Sequence, residues 1–432
     1  MNKLKNLLKK IIPSWVFSIY HWKLALLGAL IYRFPARHIK VVAVTGTKGK
    51  SSTTELVSTI LEEAGYKTAL VSTVRFKIGN KSQPNRLKMT TPGRFTLQKL
   101  IREAVDARCD YIVLEISSEA TKQFRHKFIA FDALLVTNLS PEHIESHGSF
   151  AKYKAAKLKI AQALENSSKP NKVLITNGDD PALDDFRKIN IATKIATHLA
   201  DANPHALLVD GLFFTYASQK IQTKLVGEFN LYNILLAIAY VKSQNIGIDK
   251  IKSAMEKFSG IPGRLELVTP TDPSLIRLQD FKVIVDYAHT ADSLQKVYEI
   301  YKDHQIIAVL GGTGGGRDTD RRQIMGGLAD KYASFVYITD EDPYDDDPRE
   351  IAEQVASGVL HAPKEIEMDR RVAIRKAVAK AETGSVIIIT GKGTDPYIMR
   401  ANGAKESWSD AEVARIELTS FLQQKKKTNE QV

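Results

Sequence analysis

From residue 40 onward, short apolar runs alternate with amphipathic stretches, and this alternation limits the folds that the chain can adopt. Runs such as VVAVT (41–45) and YIVLEI (111–116) have the length and β-branched composition of buried strands, whereas 51–64 and 94–107 have the apolar spacing of helices. Parallel strands need crossover connections, usually helices, so the pattern predicts βαβ units and a mostly parallel sheet. Further strands are predicted at 133–138, 172–177, 283–288, 306–312, 335–340 and 386–393, and a strong helix at 227–247.

The turn after the first predicted strand, TGTKGKSS (45–52), has the composition of a loop that binds phosphate. Gly46 and Gly49 would let the backbone wrap close to phosphate oxygens, and the N-terminus of the next helix would direct free N–H groups at an anion. Lys50 would reach the outer phosphates, and Ser51 would hold Mg²⁺. The usual nucleotide loop has its first glycine at the position of Val44, so this loop is a shorter variant.

The chain length and one proline-glycine boundary define the expected domains. The 432 residues exceed one ordinary core, and IPGRLE (261–266) separates two α/β series. We predict an α/β fold, with a central P-loop ATPase domain built on a mostly parallel sheet at 39–262. A smaller Rossmann-like C-terminal domain follows at 263–422. A short basic and apolar segment at 1–38 precedes them, and residues 423–432 are predicted to form a disordered tail.

The composition sets limits on location and partners. A single cysteine, Cys109, excludes an internal disulfide framework and fits a reducing compartment, so we expect a cytoplasmic protein. The net charge of +12 favours anionic partners. The basic residues are scattered and no aromatic stacking platform is evident, so a nucleic-acid partner is not expected.

The N-terminal segment, residues 1–37, leaves two interpretations open. Its charge-free runs, 11–22 and 24–32, are each too short to cross a bilayer, which needs roughly 20 apolar residues. Four lysines within the first ten residues lie beside leucine and isoleucine, which is compatible with a helix on the inner face of the membrane. A helix packed on the next domain is an equal alternative.

Several polar residues after the predicted strands are candidates for a site. Glu115 ends the strand at 111–116, where its carboxylate could face the phosphate loop and bind Mg²⁺, although such a residue is as often part of a loop. His143 and His147 follow another strand, and histidines in loops are more often solvated. Lys157 lies on a predicted helix, and the residues alone do not distinguish it from the neighbouring lysines.

Ten segments, in order along the chain, resemble the Mur ligase family. The similarity is greatest to the MurE type, the UDP-N-acetylmuramoyl-peptide synthetases that add the third residue of the peptidoglycan stem. The DYAHT and GGxRD blocks are specific to this branch. The segments are VTGTKGKSSTT (44–54), MTTPGRFTLQKL (89–100), LEISSEA (114–120), TNLSPEHIESHGSFAKYKAAK (137–157), GEFNLYN (227–233), GRLE (263–266), VDYAHTADSL (285–294), GGTGGGRDTDRRQIMG (311–326), TDEDPYDDDP (339–348) and GKGTDPY (391–397).

The resemblance implies an ATP-dependent ligase that joins a free amino acid to a UDP-linked muramoyl peptide. ATP would convert a carboxylate into an acyl phosphate, an amine would attack, and phosphate would leave. Such an enzyme mainly positions two anions and neutralises their charge, so no nucleophilic side chain is required.

The resemblance also assigns roles to individual residues. Lys50, Glu115, His143 and Lys157 would form the catalytic set. Ser51 and Glu115 would ligate one Mg²⁺, and His143 and Lys157 a second, with Lys157 carbamylated. ATP would be bound by Gly46, Thr47, Lys48, Gly49, Lys50, Ser51 and Ser52, by Asn230 at the adenine, by Asp286 at the ribose, and by Arg264 and His289 nearby. Thr90, Thr91, Ser118 and Arg125 would bind the UDP-muramoyl peptide, and Arg317, Glu341, Asp342, Gly391 and Asp395 the incoming amino acid.

Three departures from the family pattern affect these expectations. The N-terminal domain that helps to seat the uridine is missing or reduced to about forty residues. The stretch Asp342-Pro343-Tyr344 replaces an Asn-Pro-Arg sequence whose arginine pairs with the distal carboxylate of diaminopimelate. An acidic pocket would suit a distal ammonium, so we predict a diamino acid such as lysine. Glu119 and Glu142 replace a usual histidine and aspartate.

Other functions and structural roles remain as alternatives. A related ligase could act on folylpolyglutamate, cyanophycin or another cell-wall peptide. A non-catalytic, ATP-binding cell-wall scaffold is a further alternative, although it would not need to retain the metal and carbamate positions together. Structurally, Asp286 and His289 could cap a helix, Arg317 could pair with a neighbouring aspartate, and the acidic residues 341–347 could form a solvated loop.

Overall fold

The computed structural model describes residues 14–142, 144–316 and 319–430. They form two compact units. The first unit comprises the described residues of Met1–Leu207, together with Gly211–Lys224 and Glu228–Phe258. The second unit comprises the described residues of Ser259–Val432, together with the short segments Leu208–Asp210 and Leu225–Gly227. Each unit has a mainly parallel sheet with helices, which confirms the predicted α/β fold class.

The first unit contains most of the predicted strand and helix alternation. Its elements are α1 (Ser14–Ile31), β1 (Lys40–Thr45), α2 (Lys50–Glu63), β2 (Thr68–Val71), β3 (Arg75–Ile78), β4 (Lys81–Pro84), α3 (Arg94–Asp106), β5 (Tyr111–Glu115), α4 (Ser118–Lys122), β6 (Ala133–Val136), α5 (Ile144–His147), α6 (Phe150–Glu165), β7 (Val173–Asn177), α7 (Asp184–Arg187), β8 (Thr193–Thr197), β9 (His205–Leu208), β10 (Gly211–Tyr216), β11 (Gln219–Thr223), α8 (Glu228–Ser243) and α9 (Ile248–Lys257).

Eight of these strands form one sheet in the order β4-β3-β2-β5-β1-β6-β7-β8, and β9, β10 and β11 form a separate small sheet. The six neighbouring strands β2, β5, β1, β6, β7 and β8 are parallel to one another. Strands β3 and β4 form an antiparallel hairpin that extends the sheet beyond β2. The central strands are buried because helices cover the sheet, which explains their continuous apolar sequences. Since β5, β1 and β6 are parallel neighbours, the residues that follow them lie close together at the carboxyl ends of the strands. This is where α/β proteins bind ligands.

Helix α1 packs one of its faces on α3. Ala25 and Ala29 are buried, and Arg102 Nη2 of α3 donates to the carbonyl oxygen of Tyr32 at 2.9 Å, just after α1 ends. Residues 14–31 therefore form a helix that packs on the rest of the first unit, as one of the two interpretations of the N-terminal segment predicts. The outward face still exposes the side chains of Ile19, Tyr20, Trp22, Leu27, Leu30 and Ile31. Among the residues that the structure describes, no helix has the length and apolar content needed to cross a bilayer.

The second unit contains a shorter α/β series. Its elements are β12 (Glu266–Leu267), α10 (Pro273–Ile276), β13 (Lys282–Val285), α11 (Ala291–Ile300), β14 (Ile306–Leu310), α12 (Thr319–Tyr332), β15 (Phe335–Ile338), α13 (Pro348–Ala356), β16 (Lys364–Ile366), α14 (Arg370–Lys380), β17 (Val386–Ile389), β18 (Tyr397–Met399), β19 (Lys405–Ser407) and α15 (Asp410–Glu430).

Six strands of this unit form a sheet in the order β12-β13-β17-β14-β15-β16, in which only β12 runs antiparallel to its neighbour. Two apolar clusters cover its two faces, one with α11, α12 and α13 and the other with α14 and α15. Several strands end earlier than predicted. The largest difference is at β17, which ends at Ile389 because the glycine-rich residues 391–393 form a loop at the sheet edge.

The C-terminal residues differ from the prediction. Helix α15 continues to Glu430, so the predicted disordered tail is wrong for residues 423–430. Glutamine, lysine and glutamate have high helix propensity, so a polar sequence of this kind can continue a helix. The ammonium group of Lys425 also lies 3.0 Å from Asp280 Oδ2, which fixes the helix to the body of the unit.

Candidate active site

The turn between β1 and α2 passes very close to two neighbouring elements. Gly46 and Gly49 have φ angles of 144° and 78°, which favour glycine. A Cβ atom on Gly46 would lie 1.9 Å from Thr137 Oγ1, and one on Gly49 would lie 2.2 Å from Asn233 Oδ1. Both positions therefore require glycine. The loop has the tight, backbone-lined shape that the sequence predicts for a phosphate loop.

Residues that follow β6 hold this loop in place. The backbone N–H of Thr47 donates to the carbonyl oxygen of Asn138, and that of Lys48 donates to Asn138 Oδ1, both at 2.9 Å. Thr137 Oγ1 donates to the carbonyl oxygen of Lys48 at 2.6 Å. Gly49 provides no side-chain cap for α2, so the first N–H groups of that helix can bind an anion.

Glu115 and Ser51, the predicted ligands of the first Mg²⁺, are in direct contact. Ser51 Oγ donates to Glu115 Oε2 at 2.9 Å. The same carboxylate accepts from the backbone N–H of Thr73 at 2.8 Å and from Thr73 Oγ1 at 3.0 Å. A hydroxyl and a carboxylate beside a phosphate loop suit Mg²⁺, which is typically bound by one or two protein oxygens, phosphates and water. This donor set therefore fits the ion.

Lys157 does not lie on a solvated helix face. Its side chain is 1% exposed, and Nζ donates to the carbonyl oxygen of Gly46 at 2.6 Å. The ammonium group also lies 4.8 Å from the ring centroid of Tyr153. Burial lowers the pKa of Lys157 well below its ordinary value, and the charge of Lys50 lowers it further, while two carboxylates oppose this shift. The packing of α6 against the loop thus singles out one lysine of the helix.

The second predicted metal site is described only in part. His143 lies outside the described residues. Glu142 pairs with Lys48 of the phosphate loop, with Oε1 and Nζ 2.6 Å apart. His147 Nε2 lies 3.1 Å from Ser118 Oγ. Among the described residues, no group of three or more histidine, cysteine or acidic side chains could hold a metal ion.

The residues predicted to bind the acyl acceptor gather at the end of β5. Thr91 Oγ1 donates to the carbonyl oxygen of Glu115 at 2.9 Å and accepts from the backbone N–H of Ser117 at 3.0 Å. Thr73 Oγ1 lies 3.0 Å from Thr90 Oγ1 and so joins this group to the Glu115 carboxylate. Arg125 Nη1 donates to the carbonyl oxygen of Thr91. The structure thus brings Thr90, Thr91 and Arg125 together, and Ser118 begins the helix that follows β5.

The predicted adenine residue, Asn230, is buried near the start of α8. Its Oδ1 accepts from Asn233 Nδ2 at 3.1 Å. Asn233 is the residue that contacts Gly49, so this part of GEFNLYN (227–233) is linked to the phosphate loop through one side chain.

The remaining predicted nucleotide residues lie in the second unit. Asp286 accepts from the backbone N–H groups of Leu265 and Ala288, each at 2.7 Å. The guanidinium carbon of Arg264 lies 4.3 Å from the ring centroid of Tyr287, and its buried Nε has no hydrogen-bond partner among the described residues. His289 Nδ1 donates to the carbonyl oxygen of Tyr287 at 2.8 Å. An unsatisfied guanidinium N–H is consistent with a bound anion at this position.

Four of the five residues predicted to bind the amino acid are described, and Arg317 lies outside the described residues. Glu341 and Asp342 are 3% and 6% exposed, so a solvated acidic loop is excluded for them. A Cβ atom on Gly391 would lie 2.1 Å from Glu341 Oε2. The buried ammonium group of Lys392 lies 2.8 Å from Asp342 Oδ1 and 3.7 Å from Asp395 Oδ2. Burial raises the pKa of Glu341, although nearby basic side chains oppose this.

Sequence reasoning missed several residues of these sites. Thr73 positions the Glu115 carboxylate, Asn138 and Asn233 shape the phosphate loop, and Lys392 neutralises Asp342. Asn138, Asn233 and Lys392 lie inside segments that resemble the family, and a polar side chain after a strand or at a helix start is a signal that could identify them. Thr73 had no comparable signal.

Comparisons with known proteins agree with this geometry. Residues 44–241 match the Mur ligase middle domain, and residues 263–393 match the Mur ligase glutamate ligase domain. The chain is 36% identical over 389 residues to the UDP-N-acetylmuramoyl-L-alanyl-D-glutamate–2,6-diaminopimelate ligase of Syntrophomonas wolfei, covering 87% of this chain and 77% of that protein.

The fold is also found among solved structures. A UDP-N-acetylmuramoyl-L-alanyl-D-glutamate–2,6-diaminopimelate ligase is 25% identical, with a TM-score of 0.61 over 89% of this chain and 79% of that one. The folylpolyglutamate synthase of Mycobacterium tuberculosis, solved with ADP, is 15% identical, with a TM-score of 0.65 over 91% of this chain and 96% of that one. At this low identity the second similarity concerns the fold alone.

The Gly49→Ala substitution tests the shape of the phosphate loop. We expect ATP affinity to fall at least 10-fold, equivalent to about 1.4 kcal/mol, because the methyl group would displace Asn233 or the loop. Calorimetric titration with ATP measures this. Gly247→Ala is the matched control, since a Cβ atom there meets nothing within 4 Å. Equal ATP affinity in Gly49→Ala and the unmodified protein would contradict the close packing.

Proposed function

Because this chain belongs to the Mur ligase family of ATP-dependent enzymes that form amide bonds, we propose that it adds an amino acid to a UDP-N-acetylmuramoyl peptide during peptidoglycan precursor synthesis. The observation that carries the proposal is the gathering of the phosphate loop, Glu115 and the acceptor residues Thr90 and Thr91 at the ends of β1 and β5. Such an arrangement can hold a nucleotide phosphate beside the carboxylate to be activated. Relatives named as UDP-N-acetylmuramoyl-L-alanyl-D-glutamate ligases support this acceptor.

Enzymes of this family use ATP and Mg²⁺, which supply the phosphoryl group and neutralise its charge. In this chain, Lys50 and the first N–H groups of α2 would bind the phosphates, and Ser51 and Glu115 would hold Mg²⁺. A carboxylate is a poor electrophile because its leaving group would be oxide. Its phosphorylated form loses phosphate instead when the amine attacks.

We propose a diamino acid as the second substrate. The Syntrophomonas wolfei protein and one of the solved structures are named as 2,6-diaminopimelate ligases, whereas the acids at 340–347 in the sequence favour lysine. Within the fold, Asp342 is paired with Lys392 and Asp340 with Arg400. The preference for lysine over diaminopimelate therefore stays a prediction, which a direct competition between the two can decide.

The domain bounds are also a proposal. We assign the ATP-binding domain to 39–262 and the amino-acid-binding domain to 263–422. The change from the first compact unit to the second at Phe258 and Ser259 supports this division.

Isotope transfer and substrate dependence test the reaction. We expect release of ADP and phosphate only when an acid and an amine are both present, and transfer of ¹⁸O from the acceptor carboxylate to phosphate. The acceptors to compare are UDP-N-acetylmuramoyl-L-alanyl-D-glutamate and a folylpolyglutamate, each with lysine, diaminopimelate and glutamate. Lys50→Ala should abolish turnover, because the outer phosphates lose their cation. Equal ATP hydrolysis without acid or amine, with no isotope transfer, would refute the proposal.

We further propose that Lys157 is carbamylated and contributes to a second Mg²⁺ site with His143. The proposal is supported by the match of TNLSPEHIESHGSFAKYKAAK (137–157) to the family segment. It is also supported by the burial of Lys157, whose Nζ lies 2.6 Å from the carbonyl oxygen of Gly46. A carbamate would convert this amine into an anion beside the phosphate loop.

Lys157→Ala should abolish turnover without unfolding the protein, because the anion beside the loop is lost. Lys159→Ala is the matched control, since Lys159 is exposed on the same helix. Incubation with ¹³C-bicarbonate should give a carbamate resonance in the unmodified protein and in Lys159→Ala, but not in Lys157→Ala. Normal activity in Lys157→Ala would remove the second-metal assignment.

We also propose peripheral contact between the N-terminal segment, residues 1–37, and the inner face of the membrane. The apolar outward face of α1 and the absence of acidic residues from this segment support it. Basic residues beside exposed apolar side chains favour anionic lipid.

Vesicle co-sedimentation tests this contact. We expect binding to phosphatidylglycerol vesicles and little binding to phosphatidylcholine. Leu27→Asp should reduce the bound fraction severalfold, because it places a charge on the exposed face of α1. Leu360→Asp is the control, since Leu360 is 75% exposed in the second unit. The proposal fails if Leu27→Asp binds as well as Leu360→Asp.

A further inference from the structure

Two arginines of the first unit, Arg94 and Arg125, lie beside the same short stretch of chain. Arg94 is the first residue of α3, and its Nε donates to the carbonyl oxygen of Gln123 at 2.8 Å. Arg125 Nη2 donates to Gln123 Oε1 at 2.8 Å, and its Nη1 donates to the carbonyl oxygen of Thr91. These neutral partners hold both guanidinium groups in place without cancelling their charge. We refer to Arg94 and Arg125 as the arginine pair.

The positive charge of the arginine pair is not compensated within the described residues. Among the described residues, Glu119 is the carboxylate whose charge raises the pKa of Arg125, and it also accepts from Ser146 and lies 3.6 Å from the ammonium group of Lys122. Arg125 Nε is buried and has no hydrogen-bond partner in the part of the chain that the structure describes, and the first turn of α3 contains no acidic residue. Burial lowers the pKa of Arg94, and the charge of Arg125 lowers it further. Such a cluster is expected to bind an anion.

Helix α1 adds a third donor to this cluster. Arg94 Nη2 contacts His21 Nδ1, and because a guanidinium group only donates, His21 Nδ1 must accept. The proton of the neutral imidazole is then on Nε2, where it can donate to a ligand. Burial and the two arginines lower the pKa of His21, which is consistent with this neutral form.

The arginine pair is connected to the proposed acceptor site. Thr91, whose carbonyl oxygen accepts from Arg125, also binds the backbone of Glu115 at the end of β5. We propose that Arg94 and His21 act with Arg125 as an oxyanion-binding site for a phosphate or carboxylate group of the acyl acceptor, distant from the carboxylate that reacts. This inference rests on the proposed function. The family resemblance assigned Arg125 to the acceptor but neither Arg94 nor His21.

A purely structural role for Arg94 is the main alternative, because its bond to Gln123 joins the start of α3 to the loop after α4. The test therefore compares Arg94→Met with Arg102→Met. Arg102 lies on the same helix and also contacts the N-terminal segment, but through the carbonyl oxygen of Tyr32. A structural role predicts similar effects for the two substitutions, whereas anion binding affects only Arg94→Met.

The kinetic experiment separates the KM of the acceptor from that of ATP. With UDP-N-acetylmuramoyl-L-alanyl-D-glutamate as acceptor, Arg94→Met should raise the acceptor KM about 10- to 100-fold, the range expected for a lost charge-assisted hydrogen bond. The KM for ATP should stay within about 2-fold, because the phosphate loop is unchanged. Arg102→Met should change neither value. His21→Ala should raise the acceptor KM less, and His21→Gln, which keeps a donor, should restore part of it.

Calorimetry without ATP identifies the anion and does not depend on turnover. The probes are the UDP-muramoyl dipeptide, UDP-N-acetylmuramate, UDP and pyrophosphate. If the site holds phosphate, Arg94→Met should weaken the binding of all four probes. If it holds the carboxylate of the peptide, only the dipeptide should bind more weakly. Arg94→Lys, which keeps the charge but not the planar fork, provides an intermediate variant if Arg94→Met unfolds.

The outcomes distinguish the two proposals. Equal acceptor KM and equal probe binding in Arg94→Met and Arg102→Met would overturn the oxyanion site, as would failure of the unmodified protein to bind any of the four probes. Binding that depends on Arg94, without product from any acceptor, would support the site and refute the proposed reaction.

Discussion

The close contacts of Gly46 with Thr137 and of Gly49 with Asn233 are the constraint on which the rest of the first unit depends. Thr137 follows β6 and Asn233 lies in α8, so the loop touches elements on both sides of it. Any side chain at either glycine would separate these elements, because a Cβ atom would come within 2.2 Å of its neighbour. The strand order β5-β1-β6 then places Glu115 on one side of the loop and Thr137 on the other. The position of the candidate metal ligands thus follows from backbone packing.

Burial of cations is the second feature common to the candidate sites. Lys157 in the first unit and Lys392 in the second are each at most 1% exposed. A buried ammonium group is costly unless a partner compensates it. Lys392 has the carboxylate of Asp342 at 2.8 Å, whereas Lys157 has the carbonyl oxygen of Gly46 and the ring of Tyr153. Lys392 is therefore neutralised within the fold, whereas burial lowers the pKa of Lys157 and so favours its neutral amine beside the phosphate loop.

The strands, the phosphate loop and Glu115 could be predicted because their signals are local: apolar runs, glycine spacing and a carboxylate at a strand end. The role of Lys157 depends on the packing of α6 against the loop, which no local pattern records, and only the family resemblance singled it out. The N-terminal segment was ambiguous for a physical reason, since small residues on one face of α1 pack on α3 while large apolar residues on the other remain exposed. The sequence shows an apolar helix but not which neighbour covers it.

Charged residues show most clearly what a sequence leaves undetermined. The acids at 340–347 suggested a pocket for a cation, but Asp340 is paired with Arg400, Asp342 with Lys392, and Asp347 caps α13. Conversely, Arg94 carries no signal in the sequence, yet the fold places it beside Arg125, and among the described residues no carboxylate forms an ion pair with either of them. A charge is available to a ligand only where the fold leaves it uncompensated, so the partners of each charged group, rather than the local net charge, decide where a substrate can bind.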